Sequence, residues 1–236
     1  LEDTYRNINE NQFLNIEYGK RYSNSFTKPL QIIYSNSEID LKDIKLTGHI
    51  LIQSKSKIIV HSTAELTDVI LLSPKIEIQD EVTGNFQAIA TKDIDVGKNV
   101  RLNYPSALIA TEKPEVQTEK IDNNQTIEQN AISIDDNSII KGLVMYLGQN
   151  KPNNYKPQIE ISEHATIYGE LYCNQNTELK GVVFGTVYTN NFIANEFGSV
   201  YQNHIYNATI NVDELVEQYV GLSFSNSKKD VIKWLY

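Results

Sequence analysis

The strongest constraint on this chain is an apolar residue that returns at every sixth position. From Val60 the series runs Val60, Leu66, Leu72, Ile78, Gly84, Ala90, Val96, Leu102 and Leu108, with Gly84 the one exception. A second series four residues further on is small or apolar throughout: Ala64, Ile70, Ile76, Val82, Ala88, Ile94, Val100 and Ser106. On an α-helix a six-residue repeat sweeps around the whole circumference and leaves no buried stripe. Strands suit it, because alternate residues face one side and two inward residues per short strand leave a corner at each sixth position.

The pattern returns after two breaks. Ile58-x-Val60, Ile76-x-Ile78 and Ile94-x-Val96 start eighteen residues apart; Ile132-x-Ile134 follows the first break and Ile159-x-Ile161 the second. Three sixes make one circuit, and each circuit shelters the apolar face of the next. The expected fold is one all-β domain over 1–236, a single-stranded, three-sided parallel β-helix, right-handed, with about 18 residues per coil. Coils are expected over 47–111 and 131–210. An irregular N-terminal cap covers 1–46, a polar surface insertion 112–130, a shorter excursion 149–157, and a C-terminal cap 211–236. Within that last cap, 211–220 reads as a short amphipathic helix. Corners require a left-handed backbone, for which Asn85, Gly97, Asn103 and Asn174 are the candidates.

Charge narrows the function classes. Lys plus Arg is 21 against 30 for Asp plus Glu, a net charge of −9, which argues against nucleic acid and against an anionic membrane surface as direct partners. No apolar run approaches the roughly 18 residues of a membrane helix, so no membrane insertion is expected. The single cysteine, Cys173, excludes an internal disulfide or a multi-thiolate zinc cage, and its inward position predicts a buried, inert thiol. The chain opens at Leu1 and its only methionine is Met145. The sequence therefore predicts a removed upstream segment. That favours the cell envelope, or the extracytoplasmic side of a membrane-anchored protein, over a cytoplasmic cytoskeletal setting.

Two stretches, Ile159-Glu-Ile-Ser-Glu-His-Ala-Thr-Ile-Tyr-Gly169 and Leu179-Lys-Gly-Val-Val-Phe-Gly-Thr-Val187, resemble the bactofilin, or polymer-forming, family, with Gly169, Gly181 and Gly185 in matching steps. The resemblance implies a right-handed β-helix that serves as a non-catalytic bacterial cytoskeletal or envelope scaffold. Such a scaffold self-associates or binds a protein partner and needs no cofactor. Two breaks and covered ends favour a discrete particle over an endless filament.

Two other classes remain open. A left-handed hexapeptide-repeat acyltransferase shares the sixfold step, but its repeat prefers Gly, Ala, Glu or Asp after the aliphatic position, and here only Gly97 fits. Its base would come from His49, His61, His164 or His204. A surface adhesin or glycan-binding module would use exposed tyrosines. No P-loop, dinucleotide glycine motif, His-Glu-x-x-His or serine elbow occurs in the sequence.

The residues marked as a possible interaction face are Glu160, Glu178, Glu196, Tyr188 and Tyr206. The three glutamates lie eighteen apart, as do Glu77 and Asp95, so each set is expected to stack in one outward row. Such a row suits calcium or a basic partner, or is a solvated face relieved by Lys180. Tyr188 and Tyr206 are also eighteen apart and are expected to stack.

Overall fold

A computed structural model describes residues 16–111, 130–149, 154–196 and 198–222. Sixteen strands make up these residues, with no helix among them. The first six are β1 (Arg21–Asn24), β2 (Gln31–Ser35), β3 (Ile39–Leu41), β4 (Lys45–Gly48), β5 (Ile50–Ser54) and β6 (Lys57–Val60). Then follow β7 (Glu65–Ile78), β8 (Thr83–Val96), β9 (Arg101–Thr111), β10 (Ile132–Ile134) and β11 (Ile139–Leu147). The last are β12 (Ile159–Ile161), β13 (Thr166–Leu179), β14 (Val182–Glu196), β15 (Ser199–Gln202) and β16 (Thr209–Asn211).

Isoleucine, valine and leucine carry the pairing, since branched side chains pack well on a pleated surface. One inward ladder runs Ile58, Ile76, Ile94, Ile132, Ile159, Thr177 through successive parallel registers. Its companion runs Val60, Ile78, Val96, Ile134, Ile161, Leu179, and both ladders are buried throughout. A third joins Leu46, Leu66, Gly84, Leu102, Ile140, Ile167 and Val183. Buried members of all three belong to one hydrophobic core.

The sheet does not form the expected three-sided β-helix. Strands β8, β10, β12, β13, β11 and β9 pair in that order, and β9 pairs back to β8, closing a six-strand parallel β-barrel with the remaining strands outside the ring. Closure depends on two long strands that each serve two neighbours. β8 gives Ile94–Val96 to β10 and residues 83–90 to β9, while β13 gives 166–173 to β11 and 177–179 to β12. The sixfold period specifies which side chains turn inward, and nothing in it specifies where a strand passes from one neighbour to the next.

Bulges replace the expected corners. β7 and β8 each run for 14 residues, and β13 and β14 for 14 and 15. A bulge inserts an unpaired residue and reverses the inward parity beyond it. In β7 the shift falls between Thr67 and Val69, where Asp68 takes a φ of 56°, so Val69 and Leu71 are buried in place of the expected Ile70 and Leu72. Asn85, Asn103 and Asn174 lie inside β8, β9 and β13, and are not left-handed corners. Asp43, Asp68, Glu81, Asn99 and Asn137 take that conformation. Gly97 follows β8 at a close approach: a Cβ there would lie 2.8 Å from the Asp80 backbone nitrogen.

Both expected caps are revised. Residues 21–48 are not an irregular cap; β1 to β4 already pair in parallel with the strands that follow and bury Ile33, Ile39, Leu41 and Leu46. Residues 212–222 form two isolated turns, Leu215 N–H to Val212 O and Tyr219 N–H to Val216 O, where a helix was expected. Val212, Val216 and Val220 repeat at helical spacing, but nothing continues the i→i−4 ladder that a helix needs. Most of the 112–130 insertion and the end of the chain beyond Leu222 lie outside the described residues.

One column is made of glycine. Ser106, Gly142, Gly169 and Gly185 are successive cross-strand partners. The three glycines take φ of 140°, 145° and 151°. A Cβ on each would lie 1.9, 2.0 and 1.7 Å from the carbonyl oxygen of the preceding member.

Candidate functional site: an acidic groove

Between the two Ile-x-Ile ladders, strand alternation forces the middle residue outward. Those middle residues are Glu77, Asp95, Ser133, Glu160 and Glu178, and each is the direct partner of the next. Neighbouring parallel strands lie about 4.8 Å apart, so the carboxylates are held within repulsive range. Glu77 over Asp95 and Glu160 over Glu178 follow the eighteen-residue spacing. The join between Asp95 and Glu160 does not, because the 112–129 segment intervenes in sequence.

Among the described residues the ion pairs serve the ends of this row, while Lys57 and Lys75 act on Asp95, and Lys180 on Glu160, at longer range. Lys57 pairs with Glu77, and Lys75 with Asp93 at 3.1 Å. Lys180 lies 3.2 Å from Glu178 and 3.6 Å from Glu196. The hydrogen bond from Lys57 holds the Glu77 carboxyl below the usual carboxylate range. The central pair shifts the other way. Burial first, and then the charge of Asp93, push Asp95 up. Burial and then Glu178 push Glu160 up, although Asn130 donates an amide hydrogen bond to it.

Glu178 is 3% exposed and accepts from Asn195 N–H at 3.1 Å and from Asn195 Nδ2 at 2.8 Å. Glu196 is not stacked on it. Across β13 and β14 the offset is 16 residues at Thr166↔Val182 and 15 at Asn176↔Asn191, not eighteen. Glu196 then turns into the antiparallel pairing of β14 with β15, and Lys180 lies between it and Glu178.

The row borders a groove of ≈ 690 Å³ lined by Glu77, Asp80, Asp95, Asp135 and Glu160, with Ser133 at its centre. Asp80 and Asp135 were not singled out from sequence. Their signal was present, since both follow an inward ladder residue within two positions (Ile78 and Ile134). Among the described residues no group of three or more His, Cys, Asp and Glu side chains is arranged to hold a metal ion. Calcium takes six to eight oxygens converging on one point, and a linear row does not supply them.

The tyrosines part company. The register sets Tyr188 beside Tyr172, rings 6.3 Å apart. Tyr206 lies in the segment before β16, because the β14–β15 hairpin consumes the residues that would have completed a circuit. A second outer pair, Tyr168 and Phe184, stacks at 5.0 Å with Lys141 over the Tyr168 ring. Of the histidines, His61 is brought 2.5 Å from Asp40, a pairing across 21 positions that no local motif announces. His164 lies 3.9 Å from Asp136, His49 stacks on Phe26, and His204 lies beside Tyr201. Cys173 is buried and donates to Asn176 O, and burial pushes its thiol up.

No family model matches this chain, and neither a curated protein nor a solved structure matches it.

Proposed function

We propose that the protein is a non-catalytic scaffold that engages a basic protein partner through the acidic groove. One observation carries this reading: Asp95 and Glu160, 65 positions apart, are aligned on one wall with Glu77 and Glu178, and among the described residues no lysine forms an ion pair with either of them. Like charges held together with only longer-range compensation from Lys57, Lys75 and Lys180 raise the energy of the folded protein, and arriving ammonium or guanidinium groups relieve that repulsion. The net charge of −9 draws a cationic partner towards the same surface. The bacterial-envelope setting is supported by the sequence resemblance to bactofilins alone. The Tyr172–Tyr188 pair supports a second reading, a glycan-binding face.

The test is calorimetric titration with a lysine-rich decapeptide. Binding is expected to weaken with added salt and to fall about tenfold, near 1.4 kcal/mol, in an Asp95→Asn/Glu160→Gln double variant. Glu65→Gln, whose Lys45 partner lies on another face, is the control. Equal affinity for the double variant and the parent would refute the assignment.

A further inference from the structure

A second cavity lies where the C-terminal segment crosses the barrel. Three hydrogen bonds anchor residues 212–222: Tyr168 Oη donates to Glu214 Oε2 at 3.1 Å, Tyr219 Oη to Gly142 O at 3.3 Å, and Leu222 N–H to Glu170 Oε2 at 2.5 Å. Between strap and barrel is a cleft of ≈ 440 Å³. Its apolar walls are Pro105, Ala107 and Leu143 on one side and Val216, Val220 and Leu222 on the other. That volume lies within the range of about 300–1,000 Å³ typical of small-ligand pockets.

Two polar groups on this wall lack the partner their burial demands. Glu170 is 4% exposed, and no Lys, Arg or His among the described residues lies within ion-pair distance of it. The neutral Leu222 amide donates to it, which satisfies a hydrogen bond but supplies no counter-charge. Among the described residues the Tyr104 hydroxyl is buried with no hydrogen-bond partner, and a buried hydroxyl left unsatisfied carries its full desolvation penalty. Tyr219, tilted against Tyr104 with ring centroids 5.9 Å apart, is kept protonated by burial and by the Glu170 charge, so it remains a donor to Gly142 O.

We propose that this cleft binds a small amphiphilic amine, its ammonium on Glu170 and Tyr104 and its apolar body between Leu143 and the strap valines. Charge selects the head group: an anion would meet Glu170, and a neutral ligand would leave it unpaired. The apolar walls select the body, because a bare cation gains nothing from them.

The experiment titrates 2-phenylethylamine into the full chain by calorimetry, beside 2-phenylethanol, which lacks the charge, and ethylammonium, which lacks the ring. Saturable one-to-one binding is expected for 2-phenylethylamine, about tenfold or more weaker for either analogue. Glu170→Gln should lower the amine affinity about tenfold and leave 2-phenylethanol unchanged. Leu143→Trp, which fills the cleft, should abolish both, and it carries the test if Glu170→Gln does not fold as judged by its thermal melt. Asp95→Asn/Glu160→Gln, in the acidic groove, should leave amine binding intact. Absence of saturation, equal binding of ethylammonium, or unaltered affinity in folded Glu170→Gln and Leu143→Trp would overturn the assignment. Loss of binding only in the groove double variant would transfer the amine to the other site and equally overturn it.

Discussion

Replacing Gly185 by alanine tests the tightest of the glycine contacts. The new Cβ would lie 1.7 Å from Gly169 O, at a φ of 151° that side chains with a Cβ rarely adopt. Two costs add. Backbone strain in a sparsely populated region is about 1–3 kcal/mol, and moving packed strands apart to relieve the overlap adds about 1–3 kcal/mol. The sum, about 2–6 kcal/mol, is a large part of the roughly 5–15 kcal/mol that holds a domain together. Gly19 supplies the comparison, since its φ is 76° but nothing lies within 4 Å of an added Cβ. Gly19→Ala should cost about 1 kcal/mol. In a chain of this length each kcal/mol moves the melting temperature about 2–4 °C. At the middle of its range, Gly185→Ala should therefore melt about 8–16 °C below the parent, and Gly19→Ala only a few degrees below. Calorimetric melts of both variants, with denaturant titrations to confirm an unchanged m-value, measure the difference. Coincident melts would mean that the glycine column is not packed as described.

Ile94→Ala, in the middle of the isoleucine ladder and wholly buried, should lose about 2–5 kcal/mol by denaturant titration. Asp95 and Glu160 are pushed up, so they favour the folded state once protonated, and that contribution disappears as pH rises from the ordinary carboxylate range through their raised folded values. Asp95→Asn/Glu160→Gln should accordingly be more stable than the parent at pH 7, with the gap closing as pH falls towards that range; Glu77, shifted down by Lys57, acts in the opposite sense and loses its contribution in acid. Burial and the raised thiol make Cys173 slow to react: an aromatic disulfide reagent should label it at neutral pH only on the timescale of unfolding, and rapid labelling of the native protein would contradict its position.

Side-chain direction was legible from sequence where the sixfold spacing ran without a bulge. Ile76, Ile78, Ile94 and Val96 face inward as expected, and Glu77 meets Asp95 at the predicted offset. Closure of the sheet was not legible, because it depends on β8 and β13 each passing from one neighbour to another, and the bulge at Asp68 in β7, outside the ring, was not legible either. Counting by sixes therefore placed Ile70 and Leu72 inward where Val69 and Leu71 are buried. The groove was half legible. Glu160 and Glu178 could be paired by arithmetic, but Asp95 joins Glu160 only because Ile132–Ile134 re-enters the sheet directly beside Ile94–Val96. Glu196 was misplaced because the β13–β14 register runs at 16 and then 15 residues, and Tyr206 because the antiparallel β14–β15 hairpin breaks the count. The amine cleft has no signature in sequence at all, since Glu170 and Leu222 lie 52 positions apart and meet only through the strap.

Re-entry of the chain at Ile132 also bears on how this scaffold can be altered. Ile94 meets Ile132 in strict register, and Thr111 and Asn130, at the two ends of the intervening stretch, are each tied to other strands, Thr111 through Leu147 and Asn130 through Glu160. Thr111 and Asn130 thus mark the points between which a display, crosslinking or labelling insert would be placed, the second of them beside Glu160 on the acidic wall.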